Sequence, residues 1–510
     1  MIRINQAIPK LFDCFWFLGQ KVREQLKGTW AETFRRHIFP KLPVKELSQK
    51  YRKDFGRPTK NLHTGLGLLV LQQMHDTTDE ETLQRLAYDL RWQYALQIEQ
   101  TTDEELYMCG RTLWGLRQKA MELRLEEQLF AVASDGLLGA AGVEAGRQRM
   151  DSVHVQSNMR RLGRLRLVGR TIQIFLKNLR RKAEGRWYQQ VSEEQRQKYL
   201  ERKGGEEIFS RVKPSETAST LGLAAQDLCD LVEQFAGEPE VIKMHSYRMM
   251  QRVMGEQCRV VEEEGEPRVA VKAAKEVGGD SLQNPSDEEA GYSGHKGQGY
   301  TVQMMETFHG EEERGPRIIT YVEVTSADIT DHHALIPALE EVQGRGILPQ
   351  QLVADTLYGS DENVQAAARE GVELVAPVPN TEKSGSLSLA AFRLDECGLV
   401  TSCPGGQVPV RVKVVEKGVT VWFDPRGCEG CAQRESCPVK RSRKRVRLRY
   451  DKLAMRCAQR RQAEEGPEFR EKYRMRSGIE SSFSQLERGT GVNHLRVRGM
   501  PAVRFCVFLN

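Results

Sequence analysis

No apolar run in this sequence approaches the ~20 residues needed to cross a bilayer as a helix, although 39% of its 510 residues are hydrophobic. The short apolar patch at Leu11–Phe17 lacks a small-residue cleavage site, so the N-terminus does not read as a secretory leader. A phosphate-loop lysine motif is also missing. The pairs Gly65-x-Gly67 and Gly297-x-Gly299 lack the strand-to-helix context that nucleotide binding needs. No internal repeat is apparent. Eleven cysteines make an odd set, and Cys14, Cys109, Cys229, Cys258, Cys457 and Cys506 follow no framework spacing. Without a leader, such cysteines point to a reducing, cytoplasmic setting. The length allows several cores, and about two to four modules are expected.

The net charge of +6 is modest, but it is unevenly spread. Residues 440–449 hold seven cations and no acid, among them Arg443, Lys444 and Arg445. Residues 160–182 add Arg160, Arg161, Arg164, Arg166, Arg170, Lys177, Arg180, Arg181 and Lys182, again with no acid. Cationic runs of this kind concentrate a polyanion by releasing its counterions. The plainer reading of any one run is a solvated surface; two dense runs in one chain with candidate catalytic acids favour DNA.

The periodicities divide the chain into segments. Residues 1–45 read as an N-terminal tether. Residues 46–130 read as helical, with Thr78-Asp79-Glu80-Glu81 as a capping box and Thr102-Asp103-Glu104-Glu105 repeating the signal. Following Gly56-Arg57-Pro58, these short helices fit a helix-turn-helix-like DNA-binding module or a plain bundle. Strand patterns at 131–159 and 291–380 form the core, separated by a helical, basic insertion at 160–290. A Cys-rich basic insertion spans 381–455, and 456–510 closes the core with a helix. Strands alternating with helices predict an α/β fold with a mixed sheet.

Three acids stand out against this background. Asp151, in Arg-Met-Asp-Ser-Val-His-Val, and Asp355, in Leu-Val-Ala-Asp-Thr-Leu-Tyr-Gly, each interrupt an apolar strand-like run where a carboxylate is costly. Most isolated acids are solvated surface charges, and Asp135, Asp328 and Asp361 are rivals, with Asp361 resembling a helix N-cap. Glu480 lies in Tyr473-Arg474-Met475-Arg476-Ser477-Gly478-Ile479-Glu480. At 100° per residue, Tyr473, Arg476, Glu480 and Glu487 fall within about 60° of one helical stripe. If the two Asp strands are neighbours, a helix across their edge brings Glu480 to meet them. Hard oxygen ligands suit Mg²⁺ or Mn²⁺, and two such ions about 3.5–4 Å apart support in-line phosphoryl transfer.

The pieces Met-Asp-Ser-Val-His-Val-Gln-Ser-Asn-Met, Val-Ala-Asp-Thr-Leu-Tyr-Gly-Ser and Tyr-x-x-Arg-x-x-x-Glu resemble those of bacterial insertion-sequence transposases of the DDE type. The likeness runs from about residue 46 to the end and includes Ser293-Gly294-His295-Lys296-Gly297. It implies a ribonuclease-H-like catalytic core, with Asp151, Asp355 and Glu480 as the metal-binding catalytic acids. It also implies Tyr473 and Arg476 as phosphate or DNA-end contacts, and a dimer holding two DNA ends. Relatives often carry a lysine where this chain has Glu487; Arg488 is the candidate substitute. The sequence ends at Asn510 inside the apolar run Val503–Leu509, so an inactive copy that binds DNA without cutting it is the alternative reading. A metal nuclease without strand transfer is a third.

Cys428-x2-Cys431-x5-Cys437, with Cys403 upstream beside Pro404-Gly405-Gly406, suits a structural Zn²⁺ ordering a loop poor in apolar residues. An iron–sulfur cluster and unliganded thiols remain open, and Cys397 is an alternative to Cys403. His332-His333 reads as a helix start and His154 as an outward strand residue. Lys296, among glycines, is a candidate phosphate contact.

Overall fold

The computed structural model describes residues 2–4, 15, 17–52, 54–98, 100–200, 209–263, 266–310, 315–379, 385–442 and 445–510. Its centre is a six-stranded mixed sheet. The strand Gly297–Thr307 pairs antiparallel with Ile319–Ser326 and Gly291–Ser293 on one side and with Arg147–Val155 on the other. Beyond it, Gln351–Ala354 runs parallel to Arg147–Val155, and Glu373–Val375 runs parallel to Gln351–Ala354. The parallel half needs crossover helices, and Leu335–Gly344 and Asp361–Arg369 supply them. Their apolar faces meet the sheet in a cluster that includes Met150, Leu335, Leu339, Leu352 and Ala367. The expected α/β class is what the chain adopts.

Around this sheet the chain builds further cores. The helices Leu62–Met74, Asp79–Tyr88, Gly110–Glu122 and Leu125–Ala141 follow the apolar runs seen in the sequence. The capping box at Thr78 and Glu81 forms with both reciprocal bonds. At Thr102 the repeat of that signal makes no side-chain cap, and the helix after it is only Asp103–Leu106. The described part of the N-terminal stretch is more than a tether, because Phe15, Leu26, Phe34 and Phe39 join the same core.

The basic insertion packs Arg164–Arg181, Thr217–Gln234 and His245–Gln257 around Ile172, Phe175, Leu228 and Tyr247. A hairpin of Cys258–Glu263 and Glu266–Val271 interrupts the helical pattern expected to run to about 277. The C-terminal apolar run becomes the helix Met500–Leu509. Phe505 and Leu509 enter the N-terminal core, whereas Val503, Val507 and Phe508 pack beneath the sheet.

The Cys-rich segment corrects a second expectation. It holds a four-stranded antiparallel sheet of Arg411–Val415, Gly418–Phe423, Arg445–Tyr450 and Lys440–Ser442. Val419, Val421, Phe423, Val446, Leu448 and Tyr450 give this sheet an apolar core of its own. The arginine run is therefore a strand with period two, with Arg445, Arg447 and Arg449 out and Val446, Leu448 and Tyr450 in. The segment is not the loop poor in apolar residues that the sequence suggested.

Candidate active site

The register of two neighbouring strands places the acids. Met150 pairs with Ala354 across the parallel edge, so Asp151 and Asp355 each follow a paired residue and stand side by side. Asp151 continues its strand and is buried. Asp355 ends its strand and begins the turn Thr356–Tyr358, where its carboxylate accepts from the Thr356 N–H.

Glu480 approaches from a third element. The stretch expected as one helix is three joined pieces: Pro467–Tyr473, a tighter 3₁₀ turn at Arg474–Ser477, and Gly478–Thr490. Buried Arg149 fixes that turn. It pairs across the strands with Glu306, with nitrogens at 2.5 and 2.7 Å from one carboxylate oxygen, and donates to the Met475 carbonyl at 2.7 Å. Gly478 is required by this arrangement, since a Cβ there would lie 2.0 Å from Arg149 Nη1. A buried cation without its partner is costly, about 3–5 kcal/mol when one member of such a pair is removed.

The turn presents Arg476 to all three acids. Its Nη2 lies 2.6 Å from Asp151 Oδ2 and 3.9 Å from Asp355 Oδ2. Its Nη1 lies 3.3 Å from Glu480 Oε1. One guanidinium thus bridges three carboxylates that would otherwise repel. Burial works to lower the Arg476 pKa, but Asp151 and Asp355 outweigh it, and the group is held above its ordinary value. Burial also pushes the Asp151 carboxyl up, an effect to which the Asp355 charge adds and which the Ser152 N–H and Arg476 oppose. Tyr473 stacks on Phe469, with ring centroids 5.5 Å apart, and packs near Phe308, Val353 and Val375. Burial, then the Asp355 charge, raises its phenol pKa.

Behind the acids lies a polar network that the sequence did not reveal. Ser152 Oγ donates to Asp331 Oδ2 at 2.8 Å, and Gln303 Nε2 donates to Asp331 Oδ1 at 2.7 Å. The Tyr358 hydroxyl donates to Gln303 Oε1. Lys296 Nζ reaches Ser152 Oγ at 2.9 Å and Asp331 Oδ2 at 3.9 Å. Asp331, Gln303 and Tyr358 are buried. A polar residue in the apolar strand Tyr300–Met305 was the available signal for Gln303; Asp331 sat in a plain turn.

The remaining candidates lie elsewhere. Arg488 is two turns beyond Glu480, donating to the Ser484 carbonyl, and Glu487 is exposed. Arg160 and Arg161 line a groove past the end of the Asp151 strand. Arg445 is on the Cys-rich sheet, while Arg443 and Lys444 are outside the described residues. Ser360, not Asp361, caps the helix that follows; Asp361 is ion-paired with Arg456 at 2.5 Å. His154 is only half outward, because its Nε2 meets the Gln298 carbonyl at 3.2 Å.

Three cysteines of the cluster, Cys403, Cys428 and Cys431, lie against the turn Gly405–Gln407. A Cβ on Gly405 would lie 3.3 Å from Cys431 Sγ and 3.7 Å from Cys403 Sγ. The Gln407 amide groups donate to Cys403 Sγ at 3.3 Å and Cys428 Sγ at 3.6 Å. Cys403 and Cys437 are near enough to Cys428 to disfavour its thiolate, adding to burial. Among the described residues no three His, Cys, Asp or Glu side chains are arranged, as they stand, to hold a metal ion.

Fold and site together define an α/β protein with three acids, two of them from neighbouring inner strands of the sheet, gathered by one arginine. Residues 402–510 match the family model for a transposase DDE domain, and residues 23–118 match the model for a transposase domain, DUF772. Two transposase models on one chain indicate an insertion-sequence DDE transposase. The first match contains Glu480, Arg476 and the cysteines, whereas Asp151 and Asp355 fall between the two. No curated protein and no solved structure matches the chain. Among the described residues no helix is long and apolar enough to cross a membrane.

The raised pKa of Asp151 has a measurable sign. The folded state binds a proton that the unfolded chain releases at lower pH, so stability falls as pH rises through that window. Asp151→Asn removes this penalty. It should raise the unfolding midpoint at pH 7–8, with the gain shrinking toward the ordinary carboxylate range of about 4. A gain independent of pH, or a loss at pH 8, would show that the carboxylate is not strained by burial.

Proposed function

We propose that this chain is a DNA transposase that cuts and joins strands at the ends of a mobile element. The observation that carries this reading is the meeting of Asp151, Asp355 and Glu480 on Arg476 from remote parts of the sequence. The sheet supports a ribonuclease-H-like core: Arg147–Val155, Gly297–Thr307 and Ile319–Ser326 are antiparallel, with the short Gly291–Ser293 added, and two strands run parallel beyond Arg147–Val155, with Asp151 on that strand and Asp355 just after its parallel neighbour. Asp151, Asp355 and Glu480 would hold Mg²⁺ or Mn²⁺, for their donors are hard oxygens and their charge exceeds that of the one arginine. When bound, the ions supply an activated oxygen nucleophile and stabilise the leaving oxygen.

The protein's own groups orient and exclude. The buried Arg149–Glu306 pair fixes the turn that carries Arg476. Asp331, Gln303 and Tyr358 support the Asp151 strand from behind, through Ser152. Arg476 and Tyr473 would receive a phosphate at the acids, and Lys296, bonded to Ser152, would extend that contact; Arg488, two turns beyond Glu480, would meet DNA further along. Arg445 and its neighbours would bind DNA without regard to sequence. Holding two element ends calls for a dimer.

The cysteine cluster fits a structural zinc ion in donor type, with Cys403, Cys428, Cys431 and Cys437 as soft ligands, Cys403 and Cys431 beside Gly405 and Cys437 near Cys428. Elemental analysis of the purified protein should find about one zinc per chain, lost in Cys428→Ser/Cys431→Ser. Iron with sulfide would replace zinc by a cluster, and neither metal would leave the thiols unliganded.

The test of function is cleavage of duplexes that carry the element's inverted repeats, with Mn²⁺ present. Wild type should nick at the repeat ends and join them to a target, and Asp355→Asn should fall by at least about 10³-fold, the scale of removing a central electrostatic group. Equal cleavage by both would remove Asp355 from the mechanism. Binding without cleavage by wild type would leave a DNA-binding protein, and nicking without joining a nuclease.

A further inference from the structure

The groove beyond the catalytic acids is built from the segments that follow the elements carrying them. The chain runs on from the Asp151 strand, which ends at Val155, and its stretch from Asn158 to Leu162 forms one wall. The Glu480 helix ends at Thr490, and the segment that follows it carries Arg496 and Arg498, which form the facing wall. Backbone bonds staple the walls together: Gln156 N to Asn493 O at 2.9 Å, Leu495 N to Gln156 O at 2.8 Å, and Asn158 N to Val497 O at 2.7 Å. The floor is the insertion helix Arg164–Arg181, and the enclosed space is ≈ 920 Å³.

Its lining is cationic. Arg166, Arg170 and Lys177, with Gln173 between them, recur at helical spacing along one stripe. Leu165, Val168, Ile172, Phe175 and Leu179 turn the other way into the insertion's core. Arg160, Arg161, Arg496 and Arg498 complete its cations; the rest of the lining is neutral, with Asn284 and Ser286 among it, and includes no carboxylate. Among the described residues Arg161, Arg166, Lys177 and Arg498 form no ion pair, while Arg496 is paired with Asp76. Lys177 is pushed below its ordinary pKa, first by burial and then by the charges of Arg170, Arg180 and Arg181. Like charges held together without acids cost stability, and that cost is offset when a polyanion lies among them.

We propose that this groove holds the phosphate backbone of duplex DNA leading to the acids. The stripe from Arg166 to Lys177 is about 16 Å long at 1.5 Å per residue, and one DNA strand places a phosphate every 3.4 Å or so along the helix axis, so about five phosphates fit beside it. A single strand is disfavoured because the lining has no aromatic ring on which a base could stack. A flat anionic membrane does not follow a concave wall. Contacts made only to phosphate position the duplex without reading its sequence, which suits DNA flanking the cut rather than the recognised repeat. The inference takes DNA as partner from the proposed function, but it stands on binding and not on cleavage.

The test compares wild type with Arg166→Gln/Arg170→Gln/Lys177→Gln, all exposed positions, by titrating a random-sequence duplex at several salt concentrations without divalent ions. Circular dichroism of the variant should match wild type. The slope of log affinity against log salt should become shallower by about 2–3, at about 0.9 per lost phosphate contact. Single-stranded DNA of the same length and phosphatidylserine vesicles should be affected less. An unchanged duplex slope in the folded variant overturns the groove, whatever the cleavage assay shows. A loss confined to single strands or to vesicles overturns the choice of partner. Steep binding by a wild type that never cleaves sinks the transposase reading and leaves the groove intact. Should the triple variant misfold, Arg166→Gln alone should still reduce the slope by about one, and no reduction refutes the proposal.

Discussion

Everything at this site depends on holding two carboxylates on adjacent parallel strands. Their alignment follows from pairing Met150 with Ala354, and their repulsion must be met by positive charge. Arg476 meets it from a turn more than a hundred residues further along the chain. That turn has its place because Arg149, on the same strand as Asp151, reaches past Glu306 to the Met475 carbonyl. Local backbone, buried ion pair and the placing of the three acids are thus one connected object. A side chain at Gly478 would collide with Arg149 and disturb all three.

The acids could be found in the sequence because each is an anomaly where it stands. Asp151 and Asp355 interrupt runs such as Leu352, Val353 and Ala354, and only a functional or paired acid survives burial there. Arg476 and Glu480 announced themselves by spacing. Arg149 and Glu306 were just as anomalous in their strands, yet their meaning depends on a cross-strand register that composition does not disclose. Asp331 was harder still: an acid in a turn before a pair of histidines looks like a helix start until Ser152 and Gln303 are seen to bond to it.

The charge runs show the same limit in another form. The run over 440–449 was conspicuous as charge, but Val446, Leu448 and Tyr450 sit at alternate positions within the strand Arg445–Tyr450. Period two was the stronger signal, and it gives the segment an apolar core of its own. In the run over 160–182 the helical stripe was legible in principle. Its facing wall was not, because Arg496 and Arg498 reach it only through the bonds to Gln156 and Asn158.

The core of this account is that three acids share divalent ions. Manganese binding, followed by its paramagnetic resonance signal in the absence of DNA, tests it most directly. Wild type should bind Mn²⁺, and Asp151→Asn, Asp355→Asn and Glu480→Gln should each weaken that binding by about tenfold or more, since even losing a partner behind a ligand costs about that much. If Glu480→Gln binds Mn²⁺ as wild type does while the two aspartate variants fail, Glu480 is not a ligand and the three-acid site is contradicted.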